Sequence, residues 1–221
     1  MFLALRPLTF ARLLHRRRPH RAEFAAKPQS ILKPKAYIAT QGPTEETEND
    51  FWRMVFEQQS HIIVMLTKVF DFIRVMCSQY WPMDCNKPKR YGQIEVTLLT
   101  EEPLADFQIR TFKIRKLTEQ QIRQPATAAP VAAAEAVEAA KGEPSVEKKA
   151  EFQRPVTPSY NKLHSENDEF RIVYQFHYEK WPTHSCPFAT SILQFRRRVR
   201  IFIKELQKEE KDLGPIIAHC R

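Results

Sequence analysis

Gly214-Pro215-Ile216-Ile217-Ala218-His219-Cys220-Arg221 reads as a turn, a short apolar strand and a His-Cys pair delivered at the strand's tip. A cysteine placed there suits a nucleophile. Only the thiolate attacks, and its pKa falls when backbone N–H groups, a helix N-terminus or a cation face the sulfur. Upstream, Ile62-Ile63-Val64-Met65-Leu66 is a continuous apolar run, the pattern of a central strand covered on both faces.

Further elements can be read around these two. Ala36-Tyr37-Ile38-Ala39-Thr40 alternates as a strand and runs into the turn-forming Gln41-Gly42-Pro43. Thr44 to Gln59 reads as a helix that Thr44 and Thr47 can cap, with Glu45, Glu46, Glu48 and Asp50 favouring its N-terminal half. Phe51, Trp52, Met54, Val55 and Phe56 make its buried stripe. Gln93 to Leu99, Phe107 to Ile114 and Phe170 to Tyr178 read as three more strands, and a loop is expected at Trp181–Pro187. Ala189 to Lys208 is an amphipathic helix carrying Ile192, Leu193, Phe195, Val199, Ile201, Phe202, Ile203 and Leu206. Its run of Arg196, Arg197, Arg198 and Arg200 reads as a solvated face.

Two segments fall outside this pattern. Residues 1–32 form a basic leader, expected to be disordered and left out of the fold. Residues 117–168 form a low-complexity insertion, with Ala126 to Ala140 dominated by alanine and Pro125, Pro130, Pro144, Pro155 and Pro158 punctuating the stretch. It has little to bury, so disorder is its default state.

Charge follows the same division. Residues 1–35 hold nine Lys and Arg against one acid, Glu23, and so carry +8 of the net +9. A nucleic-acid-binding domain carries its charge on the folded face, so no specific nucleic acid is expected. The leader instead suits contact with anionic surfaces. Its acid-poor, Arg-rich start also resembles a mitochondrial targeting segment, although serine is scarce and Pro7 and Pro19 interrupt any helix. Cys77, Cys85, Cys186 and Cys220 show neither a CxxC pair nor metal-ligand spacing. A reduced, cytoplasmic compartment is therefore expected, with no metal and no cofactor.

Several stretches, in order, resemble the signatures of the classical protein tyrosine phosphatases. They are Lys35 to Pro43, Asp50-Phe51-Trp52-Arg53-Met54, Val64-Met65-Leu66-Thr67, Cys77-Ser78-Gln79-Tyr80-Trp81-Pro82 and Tyr91-Gly92. Phe176-His177-Tyr178, Trp181-Pro182-Thr183-His184 and Gly214 to Cys220 continue the series. The resemblance covers residues 33–116 and 169–220. It implies an α/β (α+β) fold, a mixed twisted sheet flanked by helices, in an incomplete tyrosine-phosphatase-like domain spanning 33–221. It also implies hydrolysis of phosphotyrosine through a phosphocysteine. A thiolate attacks phosphorus while N–H groups and an arginine hold the phosphoryl oxygens, and a carboxylic acid protonates the leaving phenolate.

By this resemblance Cys220 is the nucleophile position, and Trp181 and Pro182 introduce the general-acid loop. Thr183 stands where the acid is expected, and its hydroxyl does not titrate usefully near neutral pH. His184, beside it, could donate a proton in its place. Ser185 replaces a usual glycine. His219 precedes the nucleophile. Asp71 falls where a glutamate usually orients the phosphate-binding arginine, and Met76 where a lysine is usual. Arg221 directly follows Cys220, too close to be that arginine. The domain is therefore expected to lack its phosphate-binding loop and an earlier phosphotyrosine loop, leaving Cys220 a buried, inert thiol; Asp71 either keeps the glutamate's charge with a shorter reach or is a solvated turn acid.

Taken together, the residues predict a phosphatase-family domain that is catalytically impaired or inactive. The alternatives are a non-enzymatic interaction module, or an active phosphatase whose natural chain continues past Arg221. Phosphotyrosine proteins are the implied partners of an active form, and a protein partner is expected to cover exposed sheet.

Overall fold

The computed structural model describes residues 25–26, 36–123, 170–182, 185–209 and 212–221. Their elements, in chain order, are β1 (Ala25–Ala26), β2 (Tyr37–Thr40), α1 (Glu48–Glu57), β3 (Ile62–Met65), β4 (Phe70–Asp71), β5 (Arg74–Val75), β6 (Pro88–Tyr91) and β7 (Ile94–Pro103). After these come β8 (Phe107–Lys116), α2 (Glu119–Arg123), β9 (Phe170–Tyr178), α3 (Ala189–Glu209) and β10 (Ile216–His219).

The apolar run at 62–66 lies mid-sheet, as its composition requires. Among the described residues one sheet has the order β1-β2-β10-β3-β9-β8-β7-β6, and β4-β5 is a separate hairpin. Strands β2, β10, β3 and β9 are mutually parallel, and the flanking pairs are antiparallel. The sheet is therefore mixed, with helices on both faces. The side-chain period of two sends β3's Ile63 and Met65 to one face and Ile62 to the other. The first face packs under α1, where Phe51, Trp52 and Val55 join Ile38, Phe112 and Ile217. The second packs under α3, where Phe195, Val199 and Phe202 meet Phe176 and Tyr178.

Helix α1 starts later than the sequence suggests. Thr44 N–H donates to Thr47 Oγ1 at 2.9 Å, and Thr47 N–H donates to the Thr44 carbonyl at 2.9 Å. This closes a turn at 44–47 and occupies the Thr47 hydroxyl, which makes no capping bond to the helix. The helix ends at Glu57, and two residues on the chain turns at Gln59, a non-glycine residue at φ 54°. There Gly214, at φ 61°, packs so closely that a Cβ would collide with the Gln59 carbonyl oxygen. The exit of α1 and the entry to β10 thus fix each other.

Strands β7 and β8 run longer than their apolar alternation, paired past a register shift between Leu98 and Thr100. Edge strand β6 has no alternation to announce it, and its Pro88, Lys89 and Arg90 discourage further pairing. Residues 119–123, inside the segment read as an insertion, form α2. Of the leader, expected to stay outside the fold, Ala25–Ala26 are described and pair with β2 as β1; residues 1–24 and 27–32 of it, and the rest of the insertion, 124–168, lie outside the described residues. Among the described residues no helix is long and apolar enough to cross a membrane.

Candidate functional site

Strand β10 sits between β2 and β3, with His219 opposite Thr40 on one side and Met65 on the other. Cys220 therefore emerges at the carboxyl ends of four parallel strands, the place where open α/β sheets bind ligands. The sulfur is exposed, not buried as the sequence reading had it. The strand ends at His219, so the next side chain leaves the packed layer.

His219 is buried and ordered from both sides. Its Nδ1–H donates to the Cys220 carbonyl at 3.1 Å, and its Nε2 accepts from the Tyr80 hydroxyl at 2.8 Å. Gln175 Nε2–H in turn donates to the Tyr80 oxygen at 2.7 Å. This donor order is self-consistent only for a neutral imidazole. Burial agrees, pushing the His219 pKa down from 6.5 to about 4. Burial likewise raises the Tyr80 hydroxyl well above its ordinary range, with the nearby Cys77 adding to it. Phe51 packs tilted on Tyr80 at 4.6 Å and edge-on to His219 at 5.6 Å between ring centroids.

The Gln41-Gly42-Pro43 turn closes over this point. A Cβ on Gly42 would collide with the Cys220 carbonyl oxygen and meet Cys77 Sγ at 2.9 Å. Glycine is required there by close approach. The Pro43 carbonyl accepts from Ser78 N–H at 2.8 Å and from the Cys77 thiol at 3.6 Å. Burial first, then Glu48 and Cys220, pushes the Cys77 thiol up to about 12, so Cys77 stays protonated.

Asp71 lies in the β4-β5 hairpin and is 8% exposed, so it is not a solvated turn acid. Lys68 Nζ pairs with it at 3.3 Å, and the hairpin's close returns Met76 N–H to the Val69 carbonyl at 2.9 Å. Part of the exposed apolar surface lies on this hairpin, where Phe72 and Ile73 are 87% and 89% exposed.

Trp181 and Pro182 follow β9, and Trp181 Nε1–H donates to the Ser185 carbonyl at 3.2 Å. Thr183 and His184 lie outside the described residues, so the structure carries no geometry for the acid position.

A second polar cluster, absent from the sequence reading, supports the end of β9. Arg110 is buried and stacks on Trp81, 4.5 Å from the ring centroid. It donates to Glu101 at 2.7 Å, to Gln175 at 3.0 Å and to His177 Nδ1 at 3.1 Å, and it also bonds Gln108. His177 Nε2–H donates to the Thr67 carbonyl at 2.7 Å. Burial, and then Arg110, pushes its pKa down to about 4. Trp81, Glu101, Arg110 and His177 line a cavity of about 530 Å³ together with Lys68, Phe70 and Lys180. The guanidinium is committed to protein acceptors, so the cluster reads as a scaffold. Among the described residues no group of His, Cys, Asp and Glu side chains is arranged to hold a metal.

One signal for Tyr80 and Gln175 was present in the sequence. Gln175 and His177 are polar residues inside a strand buried throughout its centre, and such groups find partners.

A protein-family model described as protein-tyrosine phosphatase matches residues 24–129 and 136–221. Receptor-type tyrosine-protein phosphatase S of Gallus gallus is 35% identical over 189 residues, 85% of this chain and 9% of the relative. Receptor-type tyrosine-protein phosphatase F of Danio rerio is 33% identical over 85% of this chain and 7% of its own length. Tyrosine-protein phosphatase Lar-like of Caenorhabditis elegans is 33% identical over 85% and 6%. The chain thus spans less than a tenth of the length of these curated relatives.

Proposed function

The chain belongs to the protein-tyrosine phosphatase family, and from that we propose a phosphotyrosine phosphatase domain working through Cys220 with a weakened acid step. The observation that carries the reading is the delivery of an exposed Cys220 from β10, its carbonyl held by a neutral His219 and its flank closed by Gly42. Phosphotyrosine proteins are the substrate class.

The chemistry runs in two displacements. The Cys220 thiolate attacks phosphorus, forming an S–P bond as the P–O bond to tyrosine breaks. Water then cleaves the S–P bond, releasing phosphate and regenerating the thiolate. Both steps need N–H groups and a cation around the phosphoryl oxygens. The first step also needs a proton for the departing phenolate, and Thr183 occupies the position that supplies it. Loss of one such group costs on the order of 100- to 10,000-fold in rate. Asp71, buried and paired with Lys68, stands at the position that orients the anion-binding arginine.

The test is phosphate release from a phosphotyrosine peptide by the natural protein and its Thr183→Asp variant. The variant is expected to gain about 100- to 10,000-fold in kcat, and Cys220→Ser to abolish the activity of both. An unchanged kcat in Thr183→Asp refutes the weakened-acid reading. The second reading, a non-enzymatic interaction module, is favoured by Thr183 itself. No turnover in either form, together with saturable peptide binding, would support it.

A further inference from the structure

Helix α3 has one face that the fold leaves unused. Phe195, Val199 and Phe202 are buried against the sheet, with Ile192, Ile203 and Leu206 packed beside them. On the opposite side, at spacings of three and four, stand Leu193, Arg196, Arg197, Arg200, Ile201, Lys204 and Lys208, all exposed. The stripe is about 22 Å long at 1.5 Å per residue. It contains no acid: α3's acidic side chains, Glu205 and Glu209, project between the two faces. Among the described residues Arg196, Arg197, Arg200 and Lys204 meet no carboxylate, while Lys208 pairs with Glu205 at 2.7 Å. Leu193 is 58% exposed, and Phe188, just before the helix, is 84% exposed.

We propose that this face of α3 is a docking surface for an anionic lipid membrane. The face is linear and convex, and it bears five cations, which complement a plane of acidic headgroups. Leu193 and Ile201 decide between kinds of polyanion. Aliphatic side chains among the cations gain by entering the headgroup–acyl boundary. Single-stranded nucleic acid is instead held by aromatic rings on which bases stack, and the helical stripe carries none. The surface is independent of the catalytic reading. In the sequence α3 lies between Thr183 and the strand bearing Cys220, and the proposal uses neither residue.

The charge effect is large enough to measure. Each Lys or Arg at an anionic membrane strengthens binding about fivefold, so neutralising three costs about 100-fold. The test is co-sedimentation of the whole protein with phosphatidylcholine vesicles, with and without phosphatidylserine. Wild type is expected to bind only the phosphatidylserine vesicles, less tightly as salt rises. Arg196→Gln/Arg197→Gln/Arg200→Gln should lose about 100-fold, and Leu193→Gln/Ile201→Gln several-fold. If the triple variant loses its helical circular dichroism, Arg200→Gln alone should still lose about fivefold. A second arm neutralises the nine Lys and Arg of residues 1–35 and leaves α3 intact; this form should keep the α3-dependent part of binding. Four results overturn the proposal: no vesicle binding, equal binding to neutral vesicles, binding untouched by the α3 variants, or tighter binding to single-stranded RNA that ignores Leu193 and Ile201.

Discussion

Replacing Tyr80 with phenylalanine removes one oxygen from the centre of the fold and leaves everything around it in place. The ring keeps its contacts with Phe51 at 4.6 Å, Trp81 at 5.0 Å and His219 at 5.4 Å. What disappears is the hydroxyl joining Gln175 Nε2–H to His219 Nε2. Two buried polar atoms then lose their partners, and each such loss costs about 1–3 kcal/mol. Gln175 keeps a weak contact to Met65 Sδ at 3.7 Å, so its share falls at the low end. The expected destabilisation is about 2–4 kcal/mol, far more than the loss of one oxygen from a solvated tyrosine. Urea unfolding reads it as a lower midpoint at constant m-value. A double-mutant cycle with Gln175→Met isolates the shared bond. The two substitutions should cost about 1–2 kcal/mol less together than separately, because the apolar pair leaves fewer orphaned groups. Nitrogen NMR of His219 supplies an independent readout, with the proton on Nδ1 in the wild type and free to redistribute in Tyr80→Phe. A midpoint unchanged within about 0.5 kcal/mol, or strictly additive effects, would refute the network as a structural element.

Two other outcomes follow from the same geometry. The folded-state pKa values of His177 and His219 both lie near 4, below the ordinary 6.5. Between those values the unfolded chain binds more protons, so stability falls as pH drops from 6.5 towards 4. The slope is at most about 1.4 kcal/mol per pH unit for each histidine; a urea midpoint flat from pH 7 to pH 5 would contradict this, and His219→Gln should roughly halve the slope. Gly42→Ala drives a methyl into the Cys220 carbonyl and Cys77, neither of which is a flexible side-chain tip. It should cost about 1–3 kcal/mol and alter the rate at which Cys220 is alkylated, whereas an unchanged melting temperature and rate would mean the turn shifts freely.

What the sequence revealed and what it hid separate along a physical line. Strands β3 and β10 were legible from their short apolar runs, and β9 from its β-branched and aromatic residues despite Gln175 and His177; its boundaries match residue for residue. Helix α3 was legible from its period. The β4-β5 hairpin was not, because its turn places Phe72 at φ 52° without glycine or asparagine to announce it. Strand β6 was hidden because Pro88-Lys89-Arg90 has no alternation to detect. The contacts that organise the site join residues 95 and 139 positions apart, Gln175 to Tyr80 and Tyr80 to His219. No local pattern encodes a partner at that distance.

Thr183 and the Tyr80 network carry different kinds of information about activity. An acid at position 183 is asked for chemistry alone, the proton that the departing phenolate takes. Tyr80, Gln175 and His219 are each buried, and a partly satisfied network in a low-dielectric core is costly whether or not the site turns over. Their intact hydrogen bonds are therefore explained by folding alone, and a domain with no catalysis would need them as much as an efficient enzyme. The Tyr80→Phe experiment measures the first property and Thr183→Asp the second. A chain in which Tyr80→Phe destabilises while Thr183→Asp accelerates nothing would be one whose scaffold outlasted its chemistry. Acceleration by Thr183→Asp would instead locate the defect in a single proton donor on an otherwise working site.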